Sequence, residues 1–236
     1  MVDSQNPPVI GAKQDPQYKQ QRSTASDGRV YFSYADIHKC ITSLTPQIKE
    51  FRPDVIIAIG GGGFIPARML RTSVKVPILA ISLELYDDDT KTAKPYVVRK
   101  QWFDTSTELG AKVPGGRVLI VDEVDDSRKT LQYAVEEIKK HKPAALAVAV
   151  VHNKLKEKKG VLSQDVLYLA GDHVAGESWN CYPWDSEAYD RNIDQHEKLA
   201  RICCGGLHDD GNNFLRGCFF GMAVAGFVGI CWQRFR

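Results

Sequence analysis

The chain has 236 residues, 43% of them hydrophobic and 25% charged, with a formal net charge of +2. That suits one large globular domain or two small ones and excludes a chain too polar to form a core. The near-balanced charge excludes a general grip on nucleic acid, which needs a basic face.

Residues 1–29 are rich in Gln, Ser, Pro, Asp and Lys and poor in large apolar side chains. They cannot bury enough surface to offset ordering, so a disordered tail is expected there, with no apolar signal-peptide core. Ser33 can cap a helix whose apolar face is Ile37, Cys40, Ile41, Leu44, Ile48 and Phe51. Pro46 is expected to kink or divide it, and Arg52–Pro53–Asp54 to end it. Val55–Ile59 is an uninterrupted apolar run, the mark of a buried parallel strand. Gly60, Gly61, Gly62 and Gly63 follow, and then a helix from Phe64 with Pro66 in its first turn. Such a loop either makes a tight turn or presents backbone N–H groups to an anion. It is neither a P-loop nor a GxGxxG pattern.

Pro77–Leu83 reads as a second buried strand, Tyr86–Pro95 as a polar loop, and Tyr96–Phe103 as a hairpin arm suited to a mobile flap. Pro114–Gly115–Gly116 turns the chain into Val118–Val121, which is followed by Asp122, Glu123, Asp125 and Asp126. Strand alternation would point Asp122 and Glu123 to opposite faces, so the strand is expected to end there. After the turn, Leu131, Ala134, Val135 and Ile138 have helical spacing, stopped by Pro143. Ala144–Val151 is another buried strand, ending at His152–Asn153–Lys154; the basic cluster Lys154–Lys159 is a solvated surface or a local charge site. Val166–Ala170 is a short strand, Glu177–Asp185 an aromatic-rich loop or sheet edge, and Ser186–Ala200 a polar helix.

The domain is therefore expected at 30–200, with a small hood at about 160–190, and residues 201–236 as an atypical apolar tail. The uncharged run 217–232 is short for a membrane span, which needs about 20 apolar residues, although Gly217 and Gly221 form a GxxxG. A tail anchor there is a minor alternative. The cysteines, at positions 40, 181, 203, 204, 218 and 231, have no CxxC spacing. Reduced thiols in a cytoplasmic protein are expected.

Strands alternating with helices imply an α/β fold with a parallel doubly wound sheet, whose ligands sit at the carboxyl ends of the strands. Carboxylates favour hydroxyls and divalent metals, and a helix N-terminus favours anions. A ligand wanting both is a sugar phosphate bound with Mg²⁺.

Val118–Thr130 resembles the phosphoribosyl-pyrophosphate (PRPP) motif of type I phosphoribosyltransferases: apolar residues, two acids, then a hydroxyl-bearing turn. Ile57–Arg68, Gln101–Trp102, His152–Asn153–Lys154 and Trp179–Asp185 are similar, in order, to the fungal hypoxanthine-guanine and xanthine members. The resemblance covers about Tyr31 to Ala200. It implies that Asp122 and Glu123 hold the ribose hydroxyls directly or through Mg²⁺, with Asp185 near the base or a second Mg²⁺. It implies Asp126 as the general base toward the purine. Ser127, Arg128, Lys129 and Thr130 would cradle the 5′-phosphate, and Gly60 to Gly63 would bind pyrophosphate, with a strained Gly60–Gly61 peptide. Lys154 would reach the purine oxygen, Trp179 would stack on the base, and the Asn180 backbone would read its edge. The implied partners are PRPP and a purine base, in a homodimer or homotetramer, with no nucleic acid. Arg128 departs from the pattern, since the family usually has glycine there. A PRPP- or nucleotide-sensing regulator on the same fold is the rival reading; the flap and Trp179 argue against it.

Overall fold

The structure, a computed structural model, describes residues 22–86, 93–189 and 192–205. Residues 1–21 of the expected disordered tail, most of the expected apolar tail and the GxxxG run 217–232 lie outside them. Among the described residues no helix is long and apolar enough to cross a membrane.

In chain order the elements are β1 (Val30–Tyr31), α1 (Tyr34–Phe51), β2 (Val55–Gly60), α2 (Phe64–Val74), β3 (Ile78–Tyr86), β4 (Ala93–Gln101), β5 (Arg117–Asp125), α3 (Lys129–Lys139), β6 (Ala145–Leu155), β7 (Leu167–Ala175), β8 (Asn180–Cys181) and α4 (Ile193–Cys203). Six strands form one sheet in the order β4-β3-β2-β5-β6-β7. All its pairings are parallel except β3 with β4, an antiparallel arm at the edge. This is the expected doubly wound α/β sheet.

Burial on both faces explains the continuous apolar runs. Ile56, Ala58, Leu119 and Val121 face α1 and α2. Their neighbours Ile57, Ile59, Val118 and Ile120 face α3. Each fully buried Leu or Ile here contributes roughly 1.5–3 kcal/mol relative to exposure. The strand order reverses between β2 and β5, which places the topological switch point between the glycine loop and the acidic strand tip.

Ser33 and Asp36 form a reciprocal capping box at the start of α1. Pro46 does not divide the helix, one of the two outcomes expected of it: α1 is one helix of 18 residues with Pro46 inside it. Leu44 and Ile48, buried on either side, hold the helix on the sheet against the one lost backbone bond.

Other boundaries also move. β5 does not end at Asp122; its pairing with β6 continues through Asp125↔Asn153. β7 runs to Ala175 rather than Ala170, because β6 still offers partners at Lys154 and Leu155. The expected loop Tyr86–Pro95 is narrower, since Tyr86 pairs with Ala93; residues 87–92 lie outside the described residues. The helix expected from Ser186 starts at Ile193, where the Asn192 side chain accepts from the Gln195 N–H. Before it, Pro183–Tyr189 is a 3-10 stretch interrupted at Asp185.

The small substructure beside the main sheet differs from the hood expected at about 160–190. Residues 167–175 belong to the main sheet, whereas β1 pairs with β8 in a separate parallel ribbon. Ala25, Tyr31, Cys181, Ala200 and Cys203 form its core. Residues 22–29 are thus folded, not tail: the Ser23 N–H donates to the Cys203 carbonyl at 3.0 Å, and Arg22 pairs with Asp36 at 2.8 Å. Cys40, Cys181, Cys203 and Cys204 are thiols.

Candidate functional site

A cleft of about 570 Å³ opens at the carboxyl ends of β2, β5 and β6. That size is typical of a small-molecule site. Of the residues singled out from sequence, Gly60, Gly61, Gly62, Asp122, Glu123, Asp126, Ser127, Arg128, Thr130, Lys154, Trp179, Asn180 and Asp185 line it. Gly63 and Lys129 do not. The Gly63 N–H is already bonded to the Ile59 carbonyl at 2.9 Å, and Lys129 is the first residue of α3.

The glycine loop and the acidic tip fit each other sterically. A Cβ on Gly62 would lie 1.4 Å from Glu123 Oε2, so only glycine leaves room for that carboxylate. A Cβ on Gly63 would lie 2.4 Å from the Val121 carbonyl oxygen. Packing against β5 therefore accounts for these two glycines. At Gly61 a Cβ would meet nothing within 4 Å, and the Gly60–Gly61 peptide is cis.

Asp122 and Glu123 both border the cleft although β5 continues past them, because the gap beside Gly62 accepts Glu123 while Asp122 Oδ1 accepts from the Glu123 N–H at 2.9 Å. Burial, then the adjacent Glu123 carboxylate, pushes the Asp122 carboxyl well above the usual range. Burial raises Glu123 too, with Asp185 adding to it, and burial raises Asp185. Such crowding of carboxylates disfavours charge unless a cation joins them. Among the described residues no group of three or more His, Cys, Asp or Glu forms a metal cage. Two adjacent carboxylates instead suit a Mg²⁺ whose other ligands come from a phosphorylated substrate.

The turn after β5 is unusual. Arg128 stands at the N-terminus of α3 with φ 68°, a left-handed conformation that favours glycine. Its guanidinium does not point into solvent. Nη2 and Nε lie 2.7 and 2.8 Å from Asp125 Oδ2, the same oxygen accepts from Tyr168 OH at 2.7 Å, and the guanidinium carbon sits 4.7 Å from the centre of the Tyr168 ring. Asp125, without a role from sequence, is the buried anchor of this arginine. The hydroxyls and backbone N–H groups of the turn, rather than the Arg128 guanidinium, are left for a ligand.

Lys154, at the end of β6, is buried, with Nζ 3.7 Å from Asp126 Oδ1 and 6.0 Å from the Trp179 ring centre. Desolvation lowers its pKa from the ordinary lysine value, opposed by Asp126. Trp179 is 56% exposed, so it is a surface wall of the cleft and not core. Asn180 is held in β8, where Val30 and Phe32 donate to the flanking carbonyls of Trp179 and Cys181 at 2.9 and 3.1 Å. Below, Tyr182 stacks on Trp184 at 4.9 Å and its hydroxyl lies 2.8 Å from His152 Nδ1.

Sequence reasoning missed several residues. Glu84 and Lys100, an ion pair at 2.9 Å, line the cleft from β3 and β4. Arg99 pairs with Glu137 of α3 and lies 4.3 Å over the Trp102 ring, which ties the base of the expected flap to the domain. The basic cluster is not a solvated surface: Lys156 reaches Asp126 at 2.9 Å, and Lys158 reaches the Asp125 and Asp126 carbonyls at 2.6 and 2.9 Å. Its closeness to Lys154 in sequence was the available signal.

The phosphoribosyl transferase domain family matches residues 33–181. The chain is 41% identical to a hypoxanthine-guanine phosphoribosyltransferase of Schizosaccharomyces pombe over 72% of its length and 93% of that protein's. It is 38% identical to xanthine phosphoribosyltransferase 1 of Saccharomyces cerevisiae, over 75% of this chain and 97% of that one. Among solved structures, a Neisseria gonorrhoeae protein with bound ppGpp superposes with a TM-score of 0.64 at 39% identity, covering 74% of this chain and 96% of that chain.

Proposed function

This chain belongs to the phosphoribosyl transferase family, and we propose that it moves the 5-phosphoribosyl group of PRPP to a purine base. The products are a nucleoside 5′-monophosphate and pyrophosphate, and the purine is hypoxanthine, guanine or xanthine. The observation that carries this reading is the convergence, in one cleft, of an acidic strand tip and anion-type turn with Lys154 and exposed Trp179. The first pair suits a sugar phosphate, the second a flat base bearing an oxygen.

The ribose hydroxyls are taken by Asp122 and Glu123, and the 5′-phosphate by Ser127, Thr130 and the backbone at the start of α3, where the helix dipole favours an anion. The pyrophosphate is taken by the Gly60–Gly62 backbone. Asp122 and Glu123 would hold Mg²⁺ together with PRPP, and the ion would supply charge neutralisation for the leaving group; Asp185 adds a carboxylate near the base. Trp179 covers one face of the purine, Lys154 donates to its exocyclic oxygen, and the Asn180 backbone reads the far edge. Asp126 accepts the purine proton as the new glycosidic bond forms; Lys154 and Lys156 keep that carboxylate aimed. Closure of the β3–β4 arm excludes water from an oxocarbenium-like transition state. Assembly as a dimer or tetramer and a cytoplasmic setting complete the reading; the thiols among the described residues support the second.

The deciding assay supplies Mg²⁺ and PRPP with each base in turn and follows nucleotide and pyrophosphate release; ppGpp, the ligand of the Neisseria relative, is added as a competitor. Turnover of at least one base is expected, and turnover of none overturns the reading in favour of a nucleotide sensor. Asp126→Asn is expected to cut kcat by roughly 10²–10⁴ with little change in PRPP affinity. Equal loss of both refutes the general-base role.

A further inference from the structure

Residues 156–161 pack against the turn that follows β5 and its helix, and they are not among the residues that line the cleft. We propose that this strap is the positioning device of the phosphate turn, with Lys158 and Gly160 as its working residues. The proposal rests on the reading of residues 126–130 as the 5′-phosphate site.

The contacts are directed at backbone carbonyls. Lys158 Nζ donates to the carbonyls of Asp125 and Asp126 at 2.6 and 2.9 Å and lies 3.5 Å from Asp125 Oδ1. The backbone N–H groups of Lys159 and Gly160 both donate to the Ser127 carbonyl at 3.0 Å. At the far end of the strap, the Val161 N–H donates to Gln132 Oε1 of α3 at 3.0 Å. Three successive carbonyls, of Asp125, Asp126 and Ser127, are thus held by the strap.

A trans peptide is planar, with its N–H directed opposite to its carbonyl. Fixing those three carbonyls toward the strap turns the N–H groups of Asp126, Ser127 and Arg128 the other way, where these residues line the cleft. The donors are oriented before any ligand arrives, which removes their ordering cost from binding. The strap itself cannot drift outward or inward. Lys158 is only 8% exposed at its side chain, so its ammonium depends on these oxygens. A Cβ on Gly160 would lie 2.5 Å from the Arg128 carbonyl oxygen and 2.9 Å from the Lys129 nitrogen, so glycine is what permits this close seating.

The charge arrangement agrees. Two cationic side chains, Arg128 and Lys158, converge on the one carboxylate of Asp125 beneath the turn. An anion above the turn meets a surplus of positive charge that is already desolvated and fixed.

Two variants test this by different routes. Lys158→Met removes the ammonium and keeps the stem; Gly160→Ala changes no charge and pushes against backbone of the turn. Hydrogen–deuterium exchange of residues 125–130 in the unliganded protein reads the positioning without reference to activity. Steady-state kinetics with PRPP and purine varied separately reads its consequence. In both variants the turn is expected to exchange at least tenfold faster. The KM for PRPP is expected to rise at least tenfold, with kcat and the purine KM within about twofold and Lys158→Arg recovering part of the loss. Unchanged exchange overturns the proposal, and so does a PRPP KM within twofold of wild type. A uniform loss of both substrates' affinity with a lowered melting temperature also overturns it, because that is what a merely structural strap produces. Absence of turnover in the wild type itself would instead sink the phosphoribosyl-transfer reading.

Discussion

His152→Asn should flatten the acid limb of this protein's stability. His152 lies fully inside, with its ring centre 4.0 Å from that of Phe32 and Nδ1 2.8 Å from the Tyr182 hydroxyl. Burial, then the Arg22 charge, with Asp36 opposing, pulls its pKa from 6.5 down to about 3. The folded-state value is depressed, so the neutral ring's contribution is fully present above pH 6.5 and is lost as the pH falls toward 3. At pH 5 the unfolded chain carries the proton and the folded chain does not, which costs roughly 2 kcal/mol relative to pH 8. Asp122 and Glu123, whose values are raised, act in the opposite sense. They are present in both proteins and cancel in the comparison. Asparagine can place an amide near the position of Nδ1 and does not titrate. Urea unfolding of wild type and variant at pH 8 and pH 5 measures the effect. The wild type should lose about 2 kcal/mol more than the variant between the two pH values. Equal losses would refute the buried neutral histidine, whatever the variant's stability at pH 8.

Three further outcomes follow from the geometry. Gly62→Ala forces the Glu123 carboxylate out of the space it fills at 1.4 Å from the new Cβ; because that is the end of a flexible side chain, the fold should survive while the PRPP KM rises roughly tenfold, about 1.4 kcal/mol. Removing residues after Ala200 deletes Cys203, whose carbonyl accepts from Ser23 and whose thiol lies 3.5 Å from the Tyr31 nitrogen. A chain ending at Ala200 should be about 2–4 kcal/mol less stable in urea unfolding than one ending at Gly205; equal stabilities would refute the placement of α4 in the fold. Trp179→Ala, at a position 56% exposed, should leave stability within about 0.5 kcal/mol and raise the purine KM roughly tenfold without affecting that for PRPP.

Periodicity alone carried the sheet. Val55–Ile59, Val118–Val121 and Ala144–Val151 are apolar on both faces, and only a parallel sheet covered on both sides buries such runs. The capping box at Ser33 is equally local, since both its partners lie within one turn of helix. The cleft residues Asp122, Glu123, Asp126, Lys154 and Trp179 were legible because each sits at a strand's carboxyl end or beside a motif of the family.

Tertiary structure decided what depends on partners distant in sequence. Whether Pro46 breaks α1 turns on packing against the sheet rather than on proline's local preference. The order of residues 22–29 depends on α4, which lies about as far away along the chain as the fold allows. Arg128 at a glycine position is sterically odd in isolation; only the buried Asp125 and Tyr168, together with the strap, supply the interactions that offset a left-handed arginine. The run Lys154–Lys159 reads equally as solvated surface or as a local charge site, because composition records that a lysine is present and not what oxygen it faces. Folding turns Lys158 inward to two carbonyls, and a charge that sequence leaves unassigned becomes a fixed part of the site.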